Sequence, residues 1–379
     1  MTNKQRFMIA VAGGVPDMVP VSPLVHNRYA HAVLGRTGWE AMFEVHQMLG
    51  SIHHRGNGHI GVDIRMPQGY RHETKEIERT SDGRTTTEHL WHTPYGTLRS
   101  RETLGMIPHD PIVGKTTEYY IKGEEDWKIY RRVAEDRAAG GAPPAGVAEA
   151  NWEDYLRVAE LFGEDAVPAV NLPSPFVGLM QLRGMQHILT DLYDCPDLLH
   201  SILELEREVA RKGMEAFLAS PCEIGWQDIC WATGARMGPE LFERWCLPDV
   251  VMAAQMARAT PGKYAGLYTL GRIRALMPMF ADAGVHFVET FEPNQGDITL
   301  AEAKRLYGRR MCLMGNFDCT ILSFGAVEDA RRETLRCLRE GMEGGGYVLI
   351  TGDEVPADTK LDNLKAMVEV AHEHGRYDG

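Results

Sequence analysis

The sequence lacks long apolar runs and closely spaced cysteine pairs, and both absences exclude classes of protein. No run approaches the roughly 20 apolar residues that a membrane-spanning helix needs. The seven cysteines are scattered without zinc-finger spacing, which is typical of reduced thiols in the cytoplasm. The first residues, MTNKQRFMIAVAGG, carry no cleavage signal and predict an amphipathic helix. We therefore expect a soluble cytoplasmic protein.

Basic residues are also scarce relative to acidic ones. The chain has 40 lysines and arginines against 53 aspartates and glutamates, a formal net charge of −13. Such a surface repels phosphate backbones, which argues against nucleic acid as a partner and favours proteins and small molecules. With 379 residues, 44% of them apolar, the chain can bury a large core, either as two domains or as one barrel.

Short β-type runs recur along the chain, and most are followed by a segment with helical periodicity. The runs are Val19–Pro23, His59–Ile64, Ala166–Val170, Cys222–Gln227, Lys263–Tyr268, His286–Thr290, Arg310–Gly315 and Tyr347–Thr351. Eight strands alternating with crossover helices predict an α/β protein with a parallel (β/α)8 TIM barrel. We predict one domain that spans residues 1–379.

A polar segment at about residues 70–150 interrupts this alternation between the second and third predicted strands. Its first part is rich in glutamate and histidine and contains the sequence SDGR at Ser81–Arg84. Asp-Gly tolerates the positive φ angles of a tight turn, so a β-hairpin insertion is predicted here. A third strand, a helix over GEEDWKIYRRVAEDR and a linker at Gly140–Gly146 follow.

Polar side chains follow nearly every predicted strand. The active site of a barrel lies at the carboxyl ends of its strands. The candidates for catalysis are Asp228, Tyr268, Asn316 and Asp353, and those for substrate binding are His26, Arg28, Arg272 and Glu289. Any one of them could be a helix cap or a loop residue, but their recurrence at the same end of the strands indicates a site.

Several motifs carry a resemblance to a known family. They are PDMVPVSP near the start, HTPYGTL in the insertion, LYTLGRI after the fifth strand, LMGNFD after the seventh and TGDEVPADTKLDNLKAMVEVA at the end. In order and spacing they resemble the uroporphyrinogen decarboxylase superfamily over essentially the whole chain. The resemblance implies a (β/α)8 barrel. It does not choose among porphyrinogen decarboxylases, zinc-dependent thiol methyltransferases and methyltransferases that demethylate aromatic ethers.

The thiol methyltransferases of this superfamily carry His-x-Cys after the fifth strand and a cysteine after the eighth. The corresponding residues here are Tyr268-Thr269-Leu270 and Asp353. Without thiolates or an imidazole, zinc has no site of the usual kind to activate a thiol substrate. Thiol activation at this position is therefore rejected.

The porphyrinogen decarboxylases hold propionates with an arginine-rich motif near the N-terminus. This chain has VSPLVHNRYAHAV there, with Arg28 as its only arginine. One guanidinium is a weak clamp for a substrate with many carboxylates. Decarboxylation of a porphyrinogen, or of a smaller carboxylate anchored by Arg28 or Arg272, stays as the alternative.

The ether-cleaving methyltransferases remain, and the chain is most similar to their veratrol-type component. The resemblance implies a zinc pattern Glu-X14-Glu-X20-His, which Glu73, Glu88 and His109 match as the candidate metal ligands. With a two-residue loop, Glu73 would face His92 and Glu88 would face Ile77, about 13 Å apart along the strands. One zinc ion could not join them, so the hairpin is bulged, its register differs, or the residues form an ordinary solvated strand pair.

The function predicted from the sequence is methyl transfer from a methoxylated aromatic to the Co(I) corrinoid, a cobalamin, of a partner protein. Zinc is the candidate metal, and the oligomeric state stays open, a homodimer included. A non-catalytic tetrapyrrole or corrinoid carrier is a third class, but carriers rarely need polar groups at so many strand ends.

Overall fold

The computed structural model describes residues 1–54, 68–107, 109–140 and 153–377. Contacts divide the chain into two compact units. The parallel-sheet unit comprises Met1–Ile60, Trp152–Leu172 and Phe217–Gly379, and the antiparallel-sheet unit comprises Gly61–Asn151 and Pro173–Ala216. A single domain stays a prediction, since two contact units can belong to one domain.

The strands are β1 (Arg71–Arg79), β2 (Thr85–Thr93), β3 (Gly96–Leu104), β4 (Gly114–Glu118), β5 (Ala169–Leu172), β6 (Ile224–Asp228), β7 (Tyr264–Tyr268), β8 (Phe287–Glu289), β9 (Cys312–Met314) and β10 (Tyr347–Val348). The first helices are α1 (Asn3–Val11), α2 (Asn27–Leu34), α3 (Trp39–Leu49), α4 (Glu124–Ala138), α5 (Glu153–Phe162), α6 (Pro175–Arg183), α7 (Met185–Asp194) and α8 (Pro196–Ala219). The later helices are α9 (Gly238–Trp245), α10 (Leu247–Arg258), α11 (Met277–Ala283), α12 (Leu300–Tyr307), α13 (Cys319–Phe324), α14 (Val327–Gly341) and α15 (Leu361–His374).

The parallel-sheet unit is built on β5 to β10, which pair in chain order as a parallel sheet. Each strand is short and largely buried, and helices connect it to the next strand, as in the crossover units of α/β proteins. The α/β class and the parallel sheet predicted from the sequence are confirmed.

Two further segments make parallel contacts at the edges of this sheet. Val21 bridges Leu349, which follows β10, and His53 bridges Ala166, which precedes β5. The amide of Ile52 donates to the carbonyl of Val21 at 2.9 Å and so joins the two segments. The edges of the sheet are therefore connected in the way expected for a (β/α)8 barrel. The predicted second strand, His59–Ile64, lies outside the described residues.

A cluster of buried apolar side chains from α1 and the strands forms the core of the parallel-sheet unit. Phe7 of α1 is 1% exposed and packs in this cluster with Phe287 and Met314. The side chain of Thr2 caps α1 by accepting from the amide of Gln5, so the predicted first helix is confirmed. Full burial stabilises the fold by about 1.5–3 kcal/mol for each large apolar side chain. This packing holds the strands, and therefore the residues at their ends, in fixed positions.

The antiparallel-sheet unit contains β1 to β4, paired in chain order. The β1–β2 hairpin is closed by the pair Arg79 and Thr85, with Gly83 at a φ of +89° in the turn. Its place between the second and third barrel strands stays a prediction. The predicted helix after the sheet is α4. Among the described residues, no helix has the length and apolar character to cross a membrane.

Candidate active site

A cavity of about 500 Å³ lies at the carboxyl ends of the parallel strands. Its walls come from the residues that end or follow β6, β7, β8, β9 and β10 and from the start of α2. The lining residues are Arg28, Asp228, Cys230, Tyr268, Leu270, Glu292, Pro293, Asn294, Gln295, Asp318, Cys319, Thr320, Gly352, Asp353, Glu354 and Pro356. This is the end of a parallel α/β sheet at which ligands bind.

Asp353 and Tyr268 form the central polar contact of the cavity. The Tyr268 hydroxyl donates to Asp353 Oδ1 at 2.8 Å, and the amide of Glu354 donates to the same oxygen at 2.7 Å. Burial raises the pKa of Asp353, and the negative charge of Glu354 acts in the same direction, although the two hydrogen bonds oppose the change. Asp353 thus holds a proton more firmly than an exposed aspartate does, as an acid catalyst at a cavity wall would.

Glu292 is a second cavity acid whose proton affinity is increased. Burial raises its pKa, and the charges of Asp353 and Asp318 add to the increase. Asp318 caps α13 by accepting from the amide of Thr320 at 2.8 Å. The cavity therefore combines two acids whose pKa is raised with one carboxylate fixed at a helix start.

Two basic side chains near the cavity lie close to the carboxylate of Glu354. His26 Nδ1 lies 3.0 Å from Glu354 Oε1, and Arg28 Nη1 lies 3.7 Å from Glu354 Oε2. Among the described residues that line the cavity, Arg28 alone is basic. Because Glu354 already offsets its charge, Arg28 is poorly placed to hold several substrate carboxylates.

Two thiols also line the cavity. Cys230 follows Asp228, whose Oδ1 accepts from the Cys230 amide at 2.9 Å. Burial raises the pKa of both thiols, that of Cys319 to about 12, and the charge of Asp228 adds to the increase at Cys230. Both cysteines therefore stay protonated at neutral pH and are unsuited to thiolate chemistry.

The structure brings together half of the catalytic and substrate-binding residues predicted from the sequence. Arg28, Asp228, Tyr268 and Asp353 line the same cavity. The other candidates among those residues are His26, Arg272, Glu289 and Asn316, and none of them is a lining residue.

Three of these side chains are placed by other contacts. Asn316 is buried and accepts from the Arg336 guanidinium at 3.0 Å. Glu289 is 1% exposed and contacts His54. His26 contacts Glu354, a residue of the cavity wall, at 3.0 Å. Glu289 ends β8 and Asn316 follows β9, but the direction of a side chain at a strand end depends on packing that the sequence pattern does not reveal. A direct role for them in catalysis or substrate binding stays a prediction.

The candidate metal ligands are not assembled into a site. Glu73 pairs across the hairpin with Leu90, and Glu88 pairs with Lys75, because the turn is longer than two residues and the register shifts again between Glu76 and Glu78. The register expected for a two-residue loop is therefore wrong.

Each glutamate of this set instead has a basic neighbour. Glu88 Oε1 accepts from Arg101 at 2.9 Å, and Glu73 Oε2 lies 3.3 Å from Arg71 and 3.4 Å from His92. Within the described ranges, no three histidine, cysteine, aspartate or glutamate side chains form a group that could hold a metal ion, so Glu73, Glu88 and His109 do not fit zinc as they stand.

Sequence reasoning missed other polar residues that the structure places in the cavity wall or in the interior of the parallel-sheet unit. Cys230 and Cys319 come just after strands, so the strand-end rule could have included them. Ser22 and His54 are also polar and buried, but their contact depends on how the first two segments meet, and no local pattern predicts it.

Comparisons with known proteins agree with this architecture. The family model described as uroporphyrinogen decarboxylase (URO-D) matches residues 157–374. A uroporphyrinogen decarboxylase of Neisseria meningitidis serogroup C is 28% identical over 205 residues, which are 51% of this chain and 53% of that protein. The enzyme of the same name from Methylibium petroleiphilum is 24% identical over 262 residues, 65% of this chain and 61% of that protein. The chain thus spans about half to three fifths of the length of these curated relatives.

A solved structure resembles nearly the whole chain. A methyltransferase from Methanosarcina mazei matches with a TM-score of 0.65 over 98% of this chain and 99% of that chain. Its sequence identity is 18%, so the match shows a shared fold. With more than half of its residues matched by the family model, the chain belongs to the uroporphyrinogen decarboxylase family.

Proposed function

We propose that this protein is a methyltransferase, built on a (β/α)8 barrel, that moves a methyl group from an aryl methyl ether to the Co(I) corrinoid of a partner protein. The bond between the methyl carbon and the ether oxygen breaks, and its electron pair stays on the oxygen. The methyl carbon forms its new bond with the electron pair of Co(I). The observation that carries the proposal is the contact between the Tyr268 hydroxyl and Asp353 in a cavity at the strand ends, where burial raises the pKa of Asp353.

Asp353 supplies what the reaction needs at the leaving oxygen. An aryl ether resists cleavage because phenolate is a poor leaving group, and a proton donated as the bond breaks removes that obstacle. Asp353 Oδ1 accepts from Tyr268 and from the amide of Glu354, so we assign the donated proton to Oδ2. General-acid help of this kind contributes about 10²–10⁴ in rate, or roughly 3–5.5 kcal/mol.

The cavity suits a small neutral substrate. Its volume of about 500 Å³ lies within the range of roughly 300–1,000 Å³ that is usual for small-molecule sites. Tyr268 is its aromatic wall, and the Trp226 ring meets Tyr268 edge-on at 5.8 Å. The acidic lining and the compensated Arg28 disfavour a substrate with many negative charges. A methoxylated aromatic ring meets each of these conditions.

The comparisons support methyl transfer as the general type of reaction. The family includes decarboxylases by name, and the M. mazei protein of the same fold is a methyltransferase by name. Within the proposal, the corrinoid is the second substrate and enters on its own protein at the cavity mouth. Metal binding at Glu73, Glu88 and His109 is not needed for any step.

The experiment combines the purified chain, a panel of methoxyarenes and a Co(I) corrinoid protein with a reductant. Methylation of the corrinoid is followed by its absorbance, and the phenol is measured by chromatography. We expect equal amounts of both products from a substrate of the panel, and at least a hundredfold slower reaction with Asp353→Asn. Formation of neither product over the whole panel would reject the proposal.

Decarboxylation is the second candidate, because the curated relatives are uroporphyrinogen decarboxylases at 28% identity. Arg28 would be the anchor for a substrate carboxylate, once released from Glu354. Release of carbon dioxide from a porphyrinogen or a smaller carboxylate, lost in Arg28→Gln, would favour this candidate over methyl transfer.

A further inference from the structure

Glu292 is an acid of the cavity wall to which the proposed reaction gives no role. It lies in the connection between β8 and α12 and is partly exposed to solvent. Burial raises the pKa of its carboxyl, and the charges of Asp353 and Asp318 add to the increase, although a hydrogen bond with the backbone of Gly271 opposes it. The contacts around Glu292 indicate what such an acid does in this cavity.

The backbone just before Glu292 is strained. Thr290 has a φ of +60°, a left-handed conformation that a β-branched residue rarely adopts. The residue is fully buried, its hydroxyl donates to the carbonyl of Thr269 at 2.7 Å, and its amide donates to the carbonyl of Met314 at 2.9 Å. These bonds tie the turn to the carboxyl ends of β7 and β9. Strain of this kind persists only where surrounding contacts impose it, and it is concentrated at functional sites.

The connection that contains Glu292 packs against the segment that contains Asp353. Gly352, the residue before Asp353, approaches it so closely that a Cβ at this position would lie 3.0 Å from the Cα of Glu292 and 3.1 Å from the Cδ of Pro293. Only a residue without a side chain fits there. Glu292 and Asp353 therefore belong to two segments in direct contact, and both line the same cavity.

A thiol beside these acids supports their convergence. Cys319 Sγ donates to the backbone carbonyl of Asp353 at 3.3 Å. Burial raises the pKa of this thiol to about 12, and the negative charges of Asp353, Asp318 and Glu292 add to the increase. Asp318 is joined to the Glu292 connection by Asn294, whose Nδ2 donates to Asp318 Oδ1 at 2.7 Å. The carboxyls of Glu292 and Asp353 thus lie within the range of each other's charge.

Two carboxyl groups at such range do not lose their protons independently. Once one of them is ionised, its charge opposes ionisation of the other. The pair therefore loses its protons in two separate steps, and it keeps the second proton to a higher pH than either acid would alone. A cavity with such a pair retains one acidic proton where a single aspartate would already be ionised.

We propose that Glu292 is the proton-holding partner of Asp353: the two carboxyls keep one proton between them, and Asp353 donates this proton to the leaving oxygen. After the donation both groups are ionised, and the pair takes up one proton from solvent before the next turnover. The inference rests on the proposed function for the use of this proton, but the pairing itself can be measured without substrate.

Other groups that act on the pair stay constant in the test. They come from the segments that follow β6, β7, β9 and β10 and from the start of α2. They are Tyr268, Glu354, His26 and Cys230 around Asp353, Asp318 beside Glu292, and Cys319 beside both. None of them is changed in the variants that carry the test.

The experiment follows the protonated carboxyl bands of the intact protein by infrared spectroscopy as the pH is raised. The bands of the two acids are assigned by their loss in Asp353→Asn and in Glu292→Gln. We expect two steps in the wild type. Either variant should titrate in one step, with a midpoint at least about one pH unit below the upper step of the wild type, because the neighbouring charge is gone. Each variant tests the pairing by itself, so one suffices if the other does not fold.

Asp228→Asn is the matched control. Asp228 is another aspartate of the cavity wall, whereas the charges that raise the pKa of Glu292 are those of Asp353 and Asp318. The control removes one negative charge from the same cavity and should leave the separation of the two steps unchanged. In the methyl-transfer assay, Glu292→Gln should move the falling limb of kcat against pH to lower pH, because Asp353 then holds its proton alone.

Two results would overturn the inference. In one, the remaining acid of each variant has the midpoint of its own step in the wild type, so the two carboxyls titrate independently. In the other, Asp228→Asn narrows the separation by about one pH unit, which would assign the effect to the overall charge of the cavity. Two steps with the expected midpoints, but no methyl transfer, would count against the proposed reaction only.

Discussion

Tyr268 and Asp353 are 85 residues apart in the chain, yet the tyrosine hydroxyl donates to the aspartate carboxyl at 2.8 Å. Tyr268 ends β7, and Asp353 follows β10. The contact joins strand ends that are not neighbours in the sheet, across the cavity that both residues line. An acid in this position combines a fixed orientation with an increased proton affinity, and its predicted behaviour can be tested in several ways.

The first prediction concerns pH and rate. Because an acid must be protonated to act, methyl transfer should fall as the pH rises through the pKa of Asp353, which burial has raised above its ordinary value of 3.8. Tyr268→Phe removes one hydrogen bond to the carboxylate form, so this falling limb should move to higher pH. The measurement is kcat against pH for the wild type and Tyr268→Phe. A limb that stays in place in Tyr268→Phe would contradict the role of the hydroxyl.

The second prediction concerns stability at the same residue. A carboxyl whose pKa is higher in the folded state contributes most stability below its unfolded pKa, and that contribution is lost as the pH rises through the folded pKa. Asp353→Asn imitates the protonated form. The variant should therefore have a higher Tm than the wild type at pH 8 and about the same Tm at pH 4, although it has lost activity. A lower Tm at both pH values would show that the carboxylate stabilises the fold.

The third prediction concerns a buried ion pair in the antiparallel-sheet unit. Arg137 Nη1 lies 2.8 Å from Glu206 Oε1, with exposed side-chain fractions of 10% and 8%, and Tyr130 donates to the same oxygen at 3.0 Å. Removal of one partner leaves a buried charge, so Arg137→Met should lower the free energy of unfolding by about 3–5 kcal/mol.

The double variant Arg137→Met with Glu206→Leu should recover most of that loss, because no buried charge remains. Urea denaturation of the wild type, both single variants and the double variant gives the coupling energy. Additive losses in the double variant would contradict a direct pairing of the two charges.

The fourth prediction concerns zinc. Because Glu88 accepts from Arg101 and Glu73 lies beside Arg71, we expect metal analysis of the purified protein to give the same zinc content for the wild type, Glu73→Ala and His109→Ala. Glu88→Ala should change the free energy of unfolding by less than about 1 kcal/mol, as is usual for partly exposed ion pairs. Stoichiometric zinc that is lost in Glu73→Ala and His109→Ala would show that the hairpin rearranges to bind metal.

The fold could be predicted from the sequence because its signals are local and repeated. The apolar runs that became β5 to β10 stand between helical segments, and each run is followed by a polar residue. The place of Asp353 and Tyr268 at one end of the sheet followed from that order alone. In a parallel sheet the carboxyl ends of the strands lie at one edge, so their alignment can be predicted without knowing individual side-chain contacts.

The contacts within the site could not be predicted in the same way. Asn316 follows β9 as Asp353 follows β10, yet its side chain meets Arg336 of α14 rather than the cavity. The hairpin register depends on the length of the turn and on the irregularity between Glu76 and Glu78, for which the sequence gives no clear signal. Both outcomes are decided by packing between segments that are distant in the chain.

The rim of the cavity has a consequence for how the protein matures. His26 and Arg28 belong to the first connection of the parallel-sheet unit, whereas Glu354 belongs to the last, and their contacts join these distant parts of the chain. While the ribosome is still adding the final segment, the early helices can form, but the pocket lacks Asp353 and Glu354. The cavity is therefore completed only when the last segment has been added, so a C-terminally clipped chain should lack the substrate site that we propose.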